Sequence, residues 1–147
     1  MLRQGPVPLT LHAAFEPLLA ALFIAAPFLF GFSHDGSATA VSIIVGIGVL
    51  IIGMSTCWRV SLIKVIPVAA HLVLDIVIAA FLIATPFLFG FSNKTTPVAY
   101  FLIMGVATLL LTLATRWYRS AGDEGADAVS DGRRGRRRRS GPATDAP

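Results

Sequence analysis

Charge is nearly missing from the first four-fifths of this chain. Its 147 residues hold twelve Lys or Arg and eight Asp or Glu, and twelve of those twenty lie at or beyond Arg119. Before that point the formal charges are Arg3, Glu16, Asp35, Arg59, Lys64, Asp75, Lys94 and Arg116. A water-soluble domain needs charge all round its surface, so this composition excludes one. Cysteine is almost absent too. Cys57 stands alone, which excludes an intrachain disulfide. Nucleophile–base pairs, a phosphate-cradling glycine loop and a nucleotide fingerprint are lacking, so an enzyme is not expected.

What fills the space is apolar sequence, 55% of the chain, with a mean hydropathy of +0.76. A helix needs about 20 apolar residues to cross a hydrocarbon core of about 30 Å. Four stretches meet that requirement, at residues 13–32, 38–57, 68–91 and 97–115. Ser37 and Thr96 stand where N-caps belong, and Pro97 suits a first helical position.

The chain also repeats itself. A shift of 59 residues lays His12–Trp58 over His71–Trp117 without a gap. Gly46 falls on Gly105, Trp58 on Trp117, and Glu16 on Asp75. A block of seven, Pro27-Phe28-Leu29-Phe30-Gly31-Phe32-Ser33, returns intact as Pro86-Phe87-Leu88-Phe89-Gly90-Phe91-Ser92. Chance does not readily produce such a block, so the chain contains a duplication. The expected fold is therefore all-α: four transmembrane helices arranged as two tandem, parallel two-helix hairpins. Residues 1–119 form this membrane domain, with repeats at 8–58 and 67–117, and residues 120–147 form a disordered Arg-rich tail.

The duplication bears on the N-terminus as well. Arg3 followed by an apolar stretch could be a cleaved signal peptide, but the segment has a copy after two further spans. It is expected to be a retained helix. The basic residues predict its direction. Arg3, Arg59, Lys64, Arg116, Arg119 and the arginine cluster lie at the termini or between the second and third spans, leaving only Lys94 in the other loops. Both termini should face the cytoplasm of a cell-membrane protein. The repeats are then parallel, related by an axis along the membrane normal.

Helices in lipid associate by close packing, so small residues mark their seams. Ala21 with Ala25, repeated as Ala80 with Ala84, and Gly46, Gly48 and Gly53, echoed by Gly105 and Ala107, predict a tight bundle or a homo-oligomer seam. Pro27 and Pro86 should kink or end their helices, and Gly31 and Gly90 suit left-handed C-caps. The alternate phenylalanines, including Phe28 and Phe87, suggest an aromatic collar at the outer interface, and the alternative is a gate or binding lip. Trp58, Trp117 and Tyr118 suit an anchoring belt at the inner one.

These motifs carry a family likeness. Two tandem hairpins, each with a small or hydroxyl residue, a proline, an aromatic and a Gly-aromatic-Ser ending, resemble the SPW repeat membrane proteins over about residues 11–117. The tripeptide that names the family stands here as Ala26-Pro27-Phe28 and Thr85-Pro86-Phe87, keeping the proline and replacing Trp by Phe. The resemblance implies the membrane architecture and brings no biochemical activity with it.

His12 with Glu16 and His71 with Asp75 are spaced i, i+4, so each pair shares a helix face. A carboxylate at the centre of a membrane helix costs about 2.5–3.5 kcal/mol, which makes an intramembrane acid a candidate site. Counting 20 residues back from Phe32 and Phe91 puts these acids about 5 Å inside the inner boundary, at 1.5 Å per residue. The favoured reading pairs them with inner-interface bases: Glu16 with Arg59 and Asp75 with Arg116, within or between hairpins. The alternative is a proton relay or cation site formed by the two His–acid pairs across the pseudo-twofold, in a small transporter or channel. No metal and no cofactor are expected, because i, i+4 His–acid pairs are common and no cysteine or further histidine supports them.

The remaining expected partner is the bilayer itself. The cluster of Arg133, Arg134 and Arg136–Arg139 suits contact with anionic lipid. Nucleic acid is not expected, since the tail has no aromatic side chains to stack on bases. Asn93-Lys94-Thr95 matches a glycosylation sequon but lies in a loop too short to leave the bilayer surface.

Overall fold

A computed structural model describes residues 5–57 and 62–117. Within them the order is β1 (Val7–Pro8), α1 (Leu9–Leu29), α2 (Gly36–Ser55), α3 (Val68–Leu88), α4 (Thr95–Ala114) and β2 (Thr115–Arg116). All four helices are long and apolar enough to cross a membrane. The expected tail, with Arg119 and Arg133–Arg139, lies outside the described residues, as do Arg3, Trp58, Arg59 and Tyr118.

Each helix hides only a third or less of its most apolar window. Leu18, Ile44, Ile51, Val73, Ile103, Leu110 and Leu113 point outward. An apolar outer surface on helices whose backbone groups satisfy one another is what a lipid solvent demands. Inside, Phe23, Phe32, Leu82, Phe91 and Phe101 are fully buried. Tyr100 of the second repeat lies 5.9 Å from Phe23 and 5.5 Å from Phe32 of the first, ring to ring. These residues make one core across the repeat boundary, towards the loop end of the bundle.

Within each hairpin the backbones come close, α1 on α2 and α3 on α4, whereas backbone approaches between hairpins are sparse. Gly46 and Gly105 are the reason. A methyl at Gly46 would lie 2.8 Å from the Ala20 carbonyl oxygen, and one at Gly105 would lie 3.0 Å from that of Ala79. The small residues facing them are Ala20 and Ala79, both buried. Ala21 and Ala80 are exposed one position further round the helix, so of the two seams expected for them they do not take the one inside the bundle. Gly48 likewise meets open space.

The repeated seven-residue block is a helix stop. Gly31 and Gly90 take φ of 70° and 73°, a region closed to most side chains. Phe32 donates its backbone N–H to the Pro27 carbonyl at 2.9 Å, and Phe91 to that of Pro86 at 3.1 Å. That six-to-one bond, with an apolar residue packed beside it, is the Schellman closure. Both prolines sit in the last turn, and each helix ends two residues later. Pro27 has no N–H for the Phe23 carbonyl, and the Ser42 hydroxyl takes its place at 2.6 Å. Phe28 and Phe87 are about two-thirds exposed, at 66% and 67%, on the outer flank of this turn.

The helix starts differ from expectation. Asp35 caps α2, its carboxylate accepting from the Ala38 N–H at 3.1 Å, and Lys94 holds the equivalent place before α4. Ser37, Thr96 and Pro97 are therefore in the first turn. Proline is tolerated there because the first four helical N–H groups have no intrahelical acceptor.

At the opposite end two short parallel pairings close a ring. β1 pairs with β2, Val7 against Thr115, so the chain enters α1 beside the point where it leaves α4. Thr56 pairs with Ile66 in the same sense. A shift of 59 residues turns one pairing into the other, giving the two repeats a pseudo-twofold relation.

Candidate functional site

Thr56 and Thr115 follow the last turns of α2 and α4, and each bends back on its own helix. The Thr56 hydroxyl donates to the Ile52 carbonyl at 2.7 Å, and that of Thr115 to the Leu111 carbonyl at 2.7 Å. With its one proton spent, each hydroxyl oxygen can only accept from a neighbour. The neighbour is a histidine of the other repeat. His12 Nδ1 lies 2.9 Å from Thr115 Oγ1, and His71 Nδ1 lies 2.8 Å from Thr56 Oγ1. Both Nδ1 atoms therefore carry hydrogen, and both Nε2 atoms turn the opposite way.

There they meet the acids. His12 Nε2 is 3.4 Å from Glu16 Oε1 and 3.2 Å from Asp75 Oδ2. His71 Nε2 is 3.4 Å from Glu16 Oε1 and 3.3 Å from Asp75 Oδ1. Base and acid alternate round a four-membered ring that crosses the repeat boundary twice. The ring is interior: His71 is wholly buried, His12 is 2% exposed, and each acid is 5% exposed. Trp117 covers it from the terminal side, its ring centroid 5.0 Å from that of His12 and 6.1 Å from that of His71. Its indole N–H donates to the Thr112 carbonyl at 2.7 Å, which fixes the indole over the ring.

The two acids differ by one methylene, and the opposing helices compensate. Glu16 packs against Gly53, where an added Cβ would sit 2.9 Å from Oε2. Asp75, the shorter acid, faces Thr112 at the equivalent position of α4, whose hydroxyl donates to Oδ2 at 3.2 Å. In the sequence Gly53 reads only as a packing residue and Thr112 does not stand out, because one glycine and one threonine do not look like counterparts. They gain meaning only when set against Glu16 and Asp75.

The structure thus brings together all four residues singled out as His–acid pairs and leaves other expected neighbours apart. Arg116, expected beside Asp75, lies exposed in β2, and Asp75's partners among the described residues are the two imidazoles and Thr112. Arg59, the partner expected for Glu16, lies outside the described residues. Each acid is seven residues into its helix, which starts at Leu9 or Val68, or about 10 Å along the axis from that start. Pro27, Phe28, Gly31, Pro86, Phe87 and Gly90 are at the far end of the bundle and take no part in the ring.

Beside the ring is one small cavity of about 10 Å³, lined by Glu16, Asp75 and apolar side chains such as Phe23, Val49 and Ile78. It has room for about one water molecule. The ring's own composition is notable: two imidazoles and two carboxylates whose ligand atoms all lie within 4.8 Å of one another. In the folded chain each His–acid pair therefore finds, in the other repeat, the further histidine whose absence spoke against a metal.

No curated protein and no solved structure matches the chain. A family model described as the SPW repeat domain matches residues 10–115, a span that takes in both hairpins and every residue of the ring. The chain belongs to the SPW repeat family.

Proposed function

We propose that the chain is a non-enzymatic, multi-pass protein of the cell membrane with a structural or accessory role, in which the buried ring locks the two repeats into one bundle. The observation that carries this reading is that each ionisable side chain of the ring is turned towards groups of the other repeat. Mutually compensating charge in a membrane interior holds helices in register, whereas one member left alone is destabilising. Both termini face the cytoplasm in this reading, and the exposed Ala21 and Ala80 faces supply a seam for a second copy.

A second reading is a proton- or cation-coupled transporter using Glu16 and Asp75. The interior position of the acids favours it, and the single-water cavity does not. The two readings part in liposomes. The wild-type chain should show no proton or cation flux above empty vesicles, and Glu16→Gln with Asp75→Asn should lower the melting temperature in detergent. Flux that is present in the wild type and lost in a still-folded double variant would establish the transporter instead.

The arginine tail adds a surface contact at about 1 kcal/mol per basic residue. Cosedimentation of the full chain in detergent micelles with anionic vesicles should fall as salt rises and as Arg136–Arg139 are replaced by Ser. Binding indifferent to both would rule the contact out.

A further inference from the structure

The ring distances do not match a set of simple ion pairs. A protonated imidazole donating to a carboxylate settles at about 2.7–2.9 Å, along the N–H direction, with one acceptor. Here each Nε2 stands almost equally far, 3.2–3.4 Å, from oxygens of two different acids. One N–H cannot point at both. A central atom can be bonded to all of them. Zinc binds imidazole nitrogen and carboxylate oxygen at about 2.0–2.2 Å, and a tetrahedron with those bonds has edges of about 3.3–3.6 Å. Four of the six edges such a site needs, the nitrogen–oxygen ones, fall on or just below that range, with Asp75 offering a different oxygen to each imidazole, and the ligand atoms all lie within 4.8 Å of one another.

Two further observations point the same way. Histidine that ligates through Nε2 carries its proton on Nδ1 and gives it to an outer partner that fixes the ring. Thr115 and Thr56 fill that role, with their own protons committed to backbone carbonyls. Charge also balances. Two neutral imidazoles and two carboxylates sum to minus two, and a divalent ion makes the buried site neutral, as the membrane interior requires.

We infer that His12, Glu16, His71 and Asp75 form a binding site for one divalent first-row transition-metal ion, shared between the two repeats. The mixed nitrogen and oxygen donors suit zinc, iron, manganese or cobalt. They are poor for magnesium or calcium, which take shells of oxygen. Glu16 ligates through Oε1, and Asp75 presents one or both oxygens, so the ion is four- or five-coordinate. The inference deepens the structural reading, because such an ion is the cross-link between hairpins. It stands or falls separately from that reading.

The test uses the full chain, purified in detergent on a tag free of histidine, stripped with chelator and then titrated with zinc or cobalt(II). About one ion per chain should bind. Cobalt should develop the intense visible bands of a tetrahedral or five-coordinate nitrogen–oxygen site, and the melting temperature should rise. Glu16→Gln with Asp75→Asn should abolish both the bands and the stoichiometric uptake. Should that variant fail to fold, Thr56→Val with Thr115→Val leaves the ligands in place and should weaken binding by about 10- to 100-fold. A folded wild type that takes up no zinc, cobalt, iron or manganese overturns the site, and so does uptake unchanged in all these variants. If metal is absent yet the acid variants still lower the melting temperature, the structural reading survives without the ion. If metal binds while stability is indifferent to the variants, the site survives and the lock does not.

Discussion

Glu16 and Asp75 occupy equivalent places and yet differ by one methylene, and the helices opposite them differ in the reverse sense. Gly53 leaves room for the longer acid, and the Thr112 hydroxyl reaches the shorter one. The two repeats have thus met one geometric requirement by different residue pairs. Glu16→Asp alone should leave a gap beside Gly53, and Gly53→Thr alone should press on the Glu16 carboxylate. Together they copy the second repeat into the first. In a thermal or denaturant double-mutant cycle in detergent, the combination should be more stable than the sum of the singles by about 0.5–3 kcal/mol. Simple additivity would show that the two positions do not sense one another.

At the scale of the element, each hairpin is set by one glycine. Gly46 and Gly105 let α2 and α4 lie against the backbones of α1 and α3, and neither has space for a methyl group. The nearest atom to an added Cβ at Gly46 that cannot swing aside is a backbone oxygen, at 2.8 Å. Gly46→Ala should therefore lower stability by about 1–3 kcal/mol, the usual range for an overpacked site. Gly48→Ala, two residues on and in open space, should change it by no more than about 0.5 kcal/mol. Equal melting temperatures for the two variants would remove the close-approach account. The block that ends α1 and α3 was readable for a local reason: a glycine four residues after a proline, with an apolar residue following, specifies its own hydrogen bonds. The packing seam was less readable. Ala20 and Ala21 are neighbours of one type, and only the rotation of α1 about its axis makes one buried and the other exposed.

For the whole molecule, four spans put the end of α2 at the same face as the start of α1 and the end of α4. Cys57, the one cysteine of the chain, lies exposed at that face. It therefore reports the orientation that the arginines predict. A membrane-impermeant thiol reagent should label it in inverted vesicles and spare it in right-side-out ones. The opposite pattern would turn the whole topology over, while leaving the ring intact.

The membrane setting, the four spans, the duplication and the helix stops were all present in the sequence, because hydropathy, repetition and glycine-capped turns depend on residues near one another in the chain. His12, Glu16, His71 and Asp75 were also identifiable, since polar groups are conspicuous in apolar sequence. Their partners were left open between the nearby arginines, the favoured choice, and the other His–acid pair across the pseudo-twofold. An i, i+4 spacing places an acid beside its own histidine but says nothing about which helix lies across from it. Nearby arginines offered the obvious neutralisation. Only the pseudo-twofold docking of one hairpin on the other brought two half-sites into one ring and set Thr115 and Thr56 behind the imidazoles. That choice depends on how helices rotate and pack in three dimensions, information that no local stretch of this chain contains.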